Sequence, residues 1–393
     1  MKTSLYLTII CRVCLGCLPL CSVAQANFQV QFDTLSVPGL PGLHSFVFAQ
    51  HGSKWLLLGG RKDGLHPKNG GFQTSSANQQ IYVVEPLTGQ VWQRGLAGLP
   101  DTLQEQLRST NMEFFQQGET LCFVGGYGRS ETVQDHITYP YLTLINVPGL
   151  MDAVETSDSL APHFQQVRDT FFAVTGGQLQ MLGDTFYLVG GHCFEGVYSA
   201  NSGANNIQFY TNAIRKFMLE YGGAGWHVGH KSQVVDELNL HRRDYNLVPQ
   251  IFENGESGIS AFSGVFQPGQ ALLPFLNTVE IRPSGHTPVN GFSQFLANYH
   301  CAKVPLFEQS QVPLVLAGHD HNYQRIQFNG ITYLVSGGGS SVLYGLAGTV
   351  PDGQYFARRS HFVILELDGP RIRISAMDEE GEVFDRAVIE PQG

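Results

Sequence analysis

Charge is what this sequence has least of. Only 14% of its 393 residues are Asp, Glu, Lys or Arg, and no stretch gathers Lys and Arg together. Such scarcity argues against long charged helices. With a formal charge of −10 and no basic patch, nucleic acid and anionic membrane surfaces are poor partners. Cysteine is scarce as well. Four of the seven, Cys11, Cys14, Cys17 and Cys21, crowd into the N-terminus, which leaves Cys122, Cys193 and Cys301. Three cannot make a disulfide framework, so each reads as a small buried hydrophobe. After the N-terminal segment, no membrane span is expected. What is plentiful is glycine: 45 residues, beside 19 prolines and an aromatic content of 11%. With 42% hydrophobic residues there is material for more than one core. The combination favours many short strands joined by tight turns, a mainly β chain.

Residues 1–26 read as a secretory signal peptide and stand outside the fold. Lys2 gives a short positive region, "LYLTIICRVCLGCLPLCSV" is apolar, and Ala24-Gln25-Ala26 puts small residues where signal peptidase needs them. The mature chain is expected to begin at or near Asn27 and to be secreted, periplasmic or at the cell surface. A membrane anchor is the competing reading, against which stand Arg12 and the shortness of the run. Lipid attachment at Cys21 is a lesser one, opposed by bulky Leu20.

Residues 44–300 repeat themselves. "SKWLLLGGR" at 53–61, "ETLCFVGGY" at 119–127 and "DTFYLVGGH" at 184–192 each present a polar turn, an apolar strand and a Gly-Gly pair. "SGISAFSGV" at 257–265 is a worn fourth copy. The pairs are Gly59-Gly60, Gly125-Gly126, Gly190-Gly191 and Ser263-Gly264, at spacings of 66, 65 and 73 residues. An apolar strand precedes each turn, and a loop and a strand pair such as "QQIYVVEPLTGQVWQ" follow each glycine pair. The spacing predicts a four-stranded antiparallel meander per copy, with Tyr82, Trp92, Phe217 and Trp226 packing its outer strands.

In this register of strands, turns and glycine pairs, residues 28–308 resemble the kelch β-propeller family. The resemblance implies blades stacked radially about an axis; about four are countable within a domain spanning 27–308, an incomplete ring. A β-sandwich with glycine-rich turns is the alternative architecture. Ligands of a propeller meet its loops, and "RKDGLHPKNGGFQTSSANQ" and "HCFEGVYSANSGANN" are long, Gly-, Ser- and Asn-rich loops suited to a glycan or a protein. His227 with His230, and His241 beside Arg242-Arg243-Asp244, read as surface features. No nucleophile constellation stands out.

Where a fifth copy is due, "SQVPLVLAGHDHNYQRIQFNGITYLVSGGGSSVLYG" appears instead. This segment, with the closing strands "HFVILELDGPRIRISAMDEEGEVFDRAVIE", resembles the C-terminal end of the calcineurin-like metallophosphoesterases, the purple acid phosphatase branch in particular. The resemblance covers residues 309–393 and centres on Gly318-His319-Asp320-His321. It implies that His319 and His321 each ligate one ion of a metal pair that clamps phosphate and activates water, and that Tyr323 and Arg325 pack the sheet edge. The family's upstream ligands are missing: there is no Gly-Asn-His, the match Gly183-Asp184-Thr185-Phe186-Tyr187 lies inside the Gly-Gly strand of the third repeat, and Val133–His136 stands alone. Any Zn, Fe or Mn ion is therefore expected to be held weakly if at all, because two imidazoles leave most of the coordination shell to water. Either a gene fusion or a joined fragment produces such a splice of a partial propeller and a partial phosphoesterase β-sandwich. The function expected is a secreted binding or scaffold protein whose phosphoesterase segment is catalytically incomplete. A metal-dependent phosphoric ester hydrolase using His319 and His321 is the alternative.

Overall fold

A computed structural model describes residues 37–64, 72–198, 206–223, 225–252, 254–269, 273–289, 300, 314–317, 321–328, 331–338, 342–346, 353–368 and 371–389. Residues 1–26, for which a signal peptide is expected, and Cys301 and His319 lie outside the described residues. The chain is mainly β and divides into two compact units, one of Thr34–Phe307 with Ala317–His319, the other built chiefly on Asp320–Gly393.

Four antiparallel meanders follow one another in the larger unit. Sheet 1 comprises β1 (Val47–His51), β2 (Lys54–Leu58), β3 (Gln80–Glu85) and β4 (Gln90–Gly95). Sheet 2 comprises β5 (Thr110–Gln117), β6 (Thr120–Ser130), β7 (Asp135–Thr138), β8 (Tyr141–Asn146) and β9 (Phe164–Arg168), with β7 an addition paired to the far end of β6. Sheet 3 starts with β10 (Gln178–Leu182) and β11 (Thr185–Val189). A separate hairpin of β12 (His192–Glu195) and β13 (Ile207–Tyr210) intervenes before β14 (Ala213–Gly222) and β15 (Gly225–Val235) complete it. Sheet 4 comprises β16 (Asn246–Ile251), β17 (Ser257–Phe262), β18 (Val279–Arg282) and β19 (Gly285–Pro288).

The second strands of sheets 1, 2 and 3 carry the apolar runs Trp55–Leu58, Leu121–Val124 and Phe186–Val189 because both of their faces are covered. Successive side chains point to opposite faces. Leu56 and Leu58 of sheet 1 therefore meet Leu121 and Phe123 of sheet 2 in one cluster, while Cys122 and Val124 meet Phe186 and Leu188 of sheet 3 in the next. Tyr187 and Val189 then turn to Ile259 and Ala261 of sheet 4. Three buried layers thus stack four sheets face to face. The outer face of sheet 1 is covered by Val37, Leu40, Leu43 and Phe46, whereas sheet 4 turns Glu280 and Arg282 outward as an ion pair of 2.8 Å. Phe217 and Trp226 join the same layer, as the repeat implies. Tyr82 and Trp92 pack on opposite faces of sheet 1, where Trp92 pairs with Val83 and Tyr82 with Gln93.

Two α-helices among the described residues were not legible as repeats. Val147–Thr156 starts where the Asn146 side chain accepts the Gly149 amide at 2.8 Å, and stops at left-handed Ser157. It presses Leu150, Met151 and Val154 into the layer between sheets 1 and 2. Asp101–Leu107 leads from sheet 1 to sheet 2.

The smaller unit contains a sheet in the order β20-β22-β21-β23 and a three-stranded one. The first uses β20 (Leu314–Ala317), β21 (Tyr323–Phe328), β22 (Ile331–Ser336) and β23 (Gly353–Ala357); the second uses β24 (His361–Asp368), β25 (Arg371–Asp378) and β26 (Val383–Ile389). Tyr323, Leu334, Ile374, Ala376 and Ile389 form their shared core. Tyr323 and Arg325 are not at a sheet edge: β21 has a partner strand on each side, and both side chains bond Asp385 of β26.

Candidate binding face at the glycine-pair ends of the strands

The glycine pairs place the chain at one end of every meander. Gly59, Gly125 and Gly190 have φ of 65°, 66° and 56°, and Ser263, the worn copy, has 61°. Only a left-handed residue turns the strand end here, and at Gly125 a Cβ would sit 1.8 Å from the Val174 carbonyl oxygen. The second glycine then donates its amide to the segment that leads into the next sheet. Gly60 bonds Ser109 O at 2.9 Å, Gly126 bonds Val174 O at 3.1 Å and Gly191 bonds Arg242 O at 2.7 Å. Each of those carbonyls lies two residues before another left-handed residue, at Asn111, Gly176 and Asp244, with Ser45 in the same role before sheet 1. Gly60, Gly126, Gly191 and Gly264 thus stand in equivalent places, and the next residue in each repeat is Arg61, Tyr127, His192 or Val265.

Those residues and the loops after them make a cluster of aromatic, histidine and arginine side chains. The Arg61 guanidinium bonds both oxygens of Asp63, reaches Gln73 O at 3.3 Å and lies 5.0 Å from the Phe72 ring. Burial would raise the Asp63 pKa, but the bonds and charge of Arg61 outweigh it and hold the carboxyl below its ordinary range. Tyr127 donates its hydroxyl to Gly196 O at 2.6 Å and accepts the Tyr198 amide at 3.0 Å, so one buried phenol pins the loop that follows β12. Phe72 and Phe194 meet its ring edge to face at 5.0 and 5.4 Å. His136 lies beside it with Nε2 3.4 Å from Phe72 O and with Nδ1 buried and unpartnered.

His192 and the two arginines before β16 complete the cluster. His192 is 7% exposed and its Nδ1 has no partner. Burial, helped by the Arg243 charge, pulls its pKa to about 3, so the ring is neutral near pH 7. Tyr210 is 5.7 Å away and stacks on His241 at 3.7 Å, while His241 Nδ1 bonds Asn212 Oδ1 at 2.8 Å. Arg242 is a structural rivet: buried, it donates to Asn239 O, Ser263 O and Asn277 O and Oδ1. Its neighbour Arg243 lies over Phe266 at 4.3 Å and donates no hydrogen bond among the described residues.

Other residues singled out by sequence are dispersed. Cys122 is buried in the layer between sheets 2 and 3, where burial pushes its thiol pKa up, and Cys193 is half-buried on β12. Asp184 sits on the turn between β10 and β11, and Val133 is exposed. His227 and His230 both reach exposed Glu220, at 3.0 and 3.3 Å, on the outer strands of sheet 3. In the smaller unit, His321 is buried, shares a 2.7 Å bond between Nδ1 and the Val342 carbonyl, and stacks on Tyr344 at 4.3 Å. Nδ1–H donated to a carbonyl is the orientation a metal-ligating imidazole takes. Among the described residues, no group of three or more His, Cys, Asp or Glu side chains forms a set that could hold an ion; His319 is not among them. No described helix is long and apolar enough to cross a membrane.

Arg61, Tyr127, His192 and Arg243 were not singled out from the sequence as binding residues. The signal was there in "GGR", "GGY" and "GGH", where the residue after a repeated glycine pair changes while its frame does not. No protein family matches the chain, and no curated protein matches it. A solved structure described as "Structure of YjhT" is similar at 11% identity and a TM-score of 0.36, over 64% of this chain and 70% of that one.

Proposed function

We propose that the chain is a secreted, kelch-like propeller protein that binds a glycan or protein through the loops at its glycine-pair face, and that its C-terminal metallophosphoesterase-like segment is catalytically incomplete. The observation that carries this reading is the change of residue at a fixed frame: four equivalent strand ends present Arg61, Tyr127, His192 and Val265 among Phe72, Phe194, Tyr198 and Tyr210. Aromatic faces with interspersed donors suit sugar rings, which offer apolar faces and hydroxyl rims. A radial order of the sheets is supported by their first strands, since β1 contacts β5, β5 contacts β10 and β10 contacts β16. A stack joined along its first strands is what blades about an axis require.

The test is a binding screen of the mature chain against a panel of immobilised glycans. Retention of a defined group, reduced at least tenfold in Tyr198→Ala and unchanged in a Tyr221→Ala control on the exposed edge of sheet 3, is the expected result. Equal loss in both variants, or no retention at all, would contradict the reading.

A further inference from the structure

Arg243 differs from every other substantially buried arginine described. Arg61 is saturated by Asp63 and Gln73, Arg242 by four acceptors, and Arg325 by both oxygens of Asp385, while Arg215 donates to Phe171 O. Arg243 has a side chain only 15% exposed, yet donates no hydrogen bond among the described residues; the Asp244 carboxylate is 3.7 Å from its Nε and itself half exposed. A buried Nε–H without an acceptor costs free energy that a bound acceptor would recover. His192 is adjacent, since the space of a Cβ on Gly176 is bounded by Arg243 Cβ at 3.6 Å and His192 Cε1 at 3.5 Å. That ring too carries an unpartnered nitrogen. Tyr210 lies beside His192 and provides an aromatic edge.

We propose that Arg243, His192 and Tyr210 form a subsite for the carboxylate of an acidic sugar, an inference that rests on the ligand-binding reading above. The planar fork of Arg243 matches a carboxylate in two parallel bonds. One fixed positive charge beside a neutral imidazole and the partly offsetting Asp244 balances a monoanion better than a phosphate dianion. The aromatic rim formed by Tyr210 and Phe194 then faces the sugar ring.

Calorimetric titration of the mature chain at pH 7 with D-glucuronate, D-glucose and D-glucose 6-phosphate tests it. Glucuronate is expected to bind at least tenfold more tightly than glucose. Arg243→Gln should remove that advantage, bringing glucuronate down to the affinity of glucose in the same variant, with Arg243→Lys intermediate because it keeps the charge without the fork. Thermal unfolding of Arg243→Gln should remain a single cooperative transition, which separates loss of binding from loss of the fold. Glucose and glucuronate binding alike, insensitive to Arg243→Gln, would overturn the subsite and leave the binding face standing. Tighter binding of the 6-phosphate would overturn the choice of carboxylate, and binding of none of the three would overturn the subsite, the binding face itself being decided by the glycan panel and Tyr198→Ala.

Discussion

Gly125 shows how narrowly a single position is set. Its φ of 66° is one that L residues adopt at a cost of about 1–2 kcal/mol, and an added Cβ would meet backbone rather than a movable side chain. Gly125→Ala is therefore expected to lose at least ~3 kcal/mol in denaturant unfolding. Gly52→Ala, on a turn with the same hand but open space around it, should lose only ~1 kcal/mol. His192 gives a pH dependence at the same scale. Its folded pKa of about 3 lies below its unfolded value near 6.5, so between those values the unfolded chain holds the extra proton. Stability contributed by the neutral ring is complete above pH 6.5 and falls as pH drops toward 3. The expected slope is roughly 1.4 kcal/mol per pH unit between pH 6 and 4, absent in His192→Gln. Asp385 behaves as a depressed acid. Burial opposes the shift, but bonds from Arg325 and Tyr323 prevail, so its contribution is present above about pH 4 and is lost as pH falls through the lower folded value. Asp385→Asn should remove that acid-side loss and, by leaving Arg325 half-buried without its partner, cost ~3 kcal/mol at pH 7.

At the level of elements, legibility followed periodicity. The second strands were readable because "WLLL", "LCFV" and "FYLV" are apolar at consecutive positions, the mark of a strand covered on both faces. The turns were readable because Gly52, Gly118, Gly183 and Gly255 all take left-handed φ, a conformation glycine favours. The helix Val147–Thr156 was not, because it lies inside what repeats elsewhere as a hairpin, and its Pro148-Gly149 start reads as a turn until the Asn146 cap is seen. That Tyr82 and Trp92 pack on opposite faces of sheet 1 was not legible, because a side chain's face depends on cross-strand register, which a repeat pattern leaves open by one residue. The layer between sheets 2 and 3 offers an element-scale check. Phe217 is fully buried, stacked on Phe186 at 5.0 Å and edge-on to Phe172 at 5.1 Å. Phe217→Ala should cost ~3–5 kcal/mol and loosen the amides of β6 and β11 together in hydrogen exchange, since both strands line the cavity it would leave.

For the whole molecule, the four-fold repeat of strand, turn and glycine pair could be read before any coordinate, and so could the change of pattern after residue 309. The candidate face could not, because Arg61, Tyr127 and His192 are far apart in sequence and related only through the equivalence of strand ends, and Arg243 joins them from the segment before β16. The lead-in residues Ser45, Asn111 and Asp244 share their left-handed φ with Gly176 without sharing its identity, so composition hid a regularity of the backbone. The C-terminal segment is the reverse case: Gly318-His319-Asp320-His321 is a pronounced motif, but His321 is engaged with Val342 and Tyr344, and carboxylates in the family's spacing are absent from the sequence. Metal content and turnover measured together on one preparation test the central claim most directly. The mature chain, supplied separately with Zn²⁺, Fe and Mn²⁺ and freed of excess ion, is assayed with p-nitrophenyl phosphate and a phosphodiester from mildly acidic to neutral pH. Well below one ion per chain, and hydrolysis no faster than in His319→Ala and His321→Ala, is the result expected of a binding protein with an incomplete phosphoesterase segment. Close to two ions per chain, with metal-dependent turnover abolished in both variants, would contradict it.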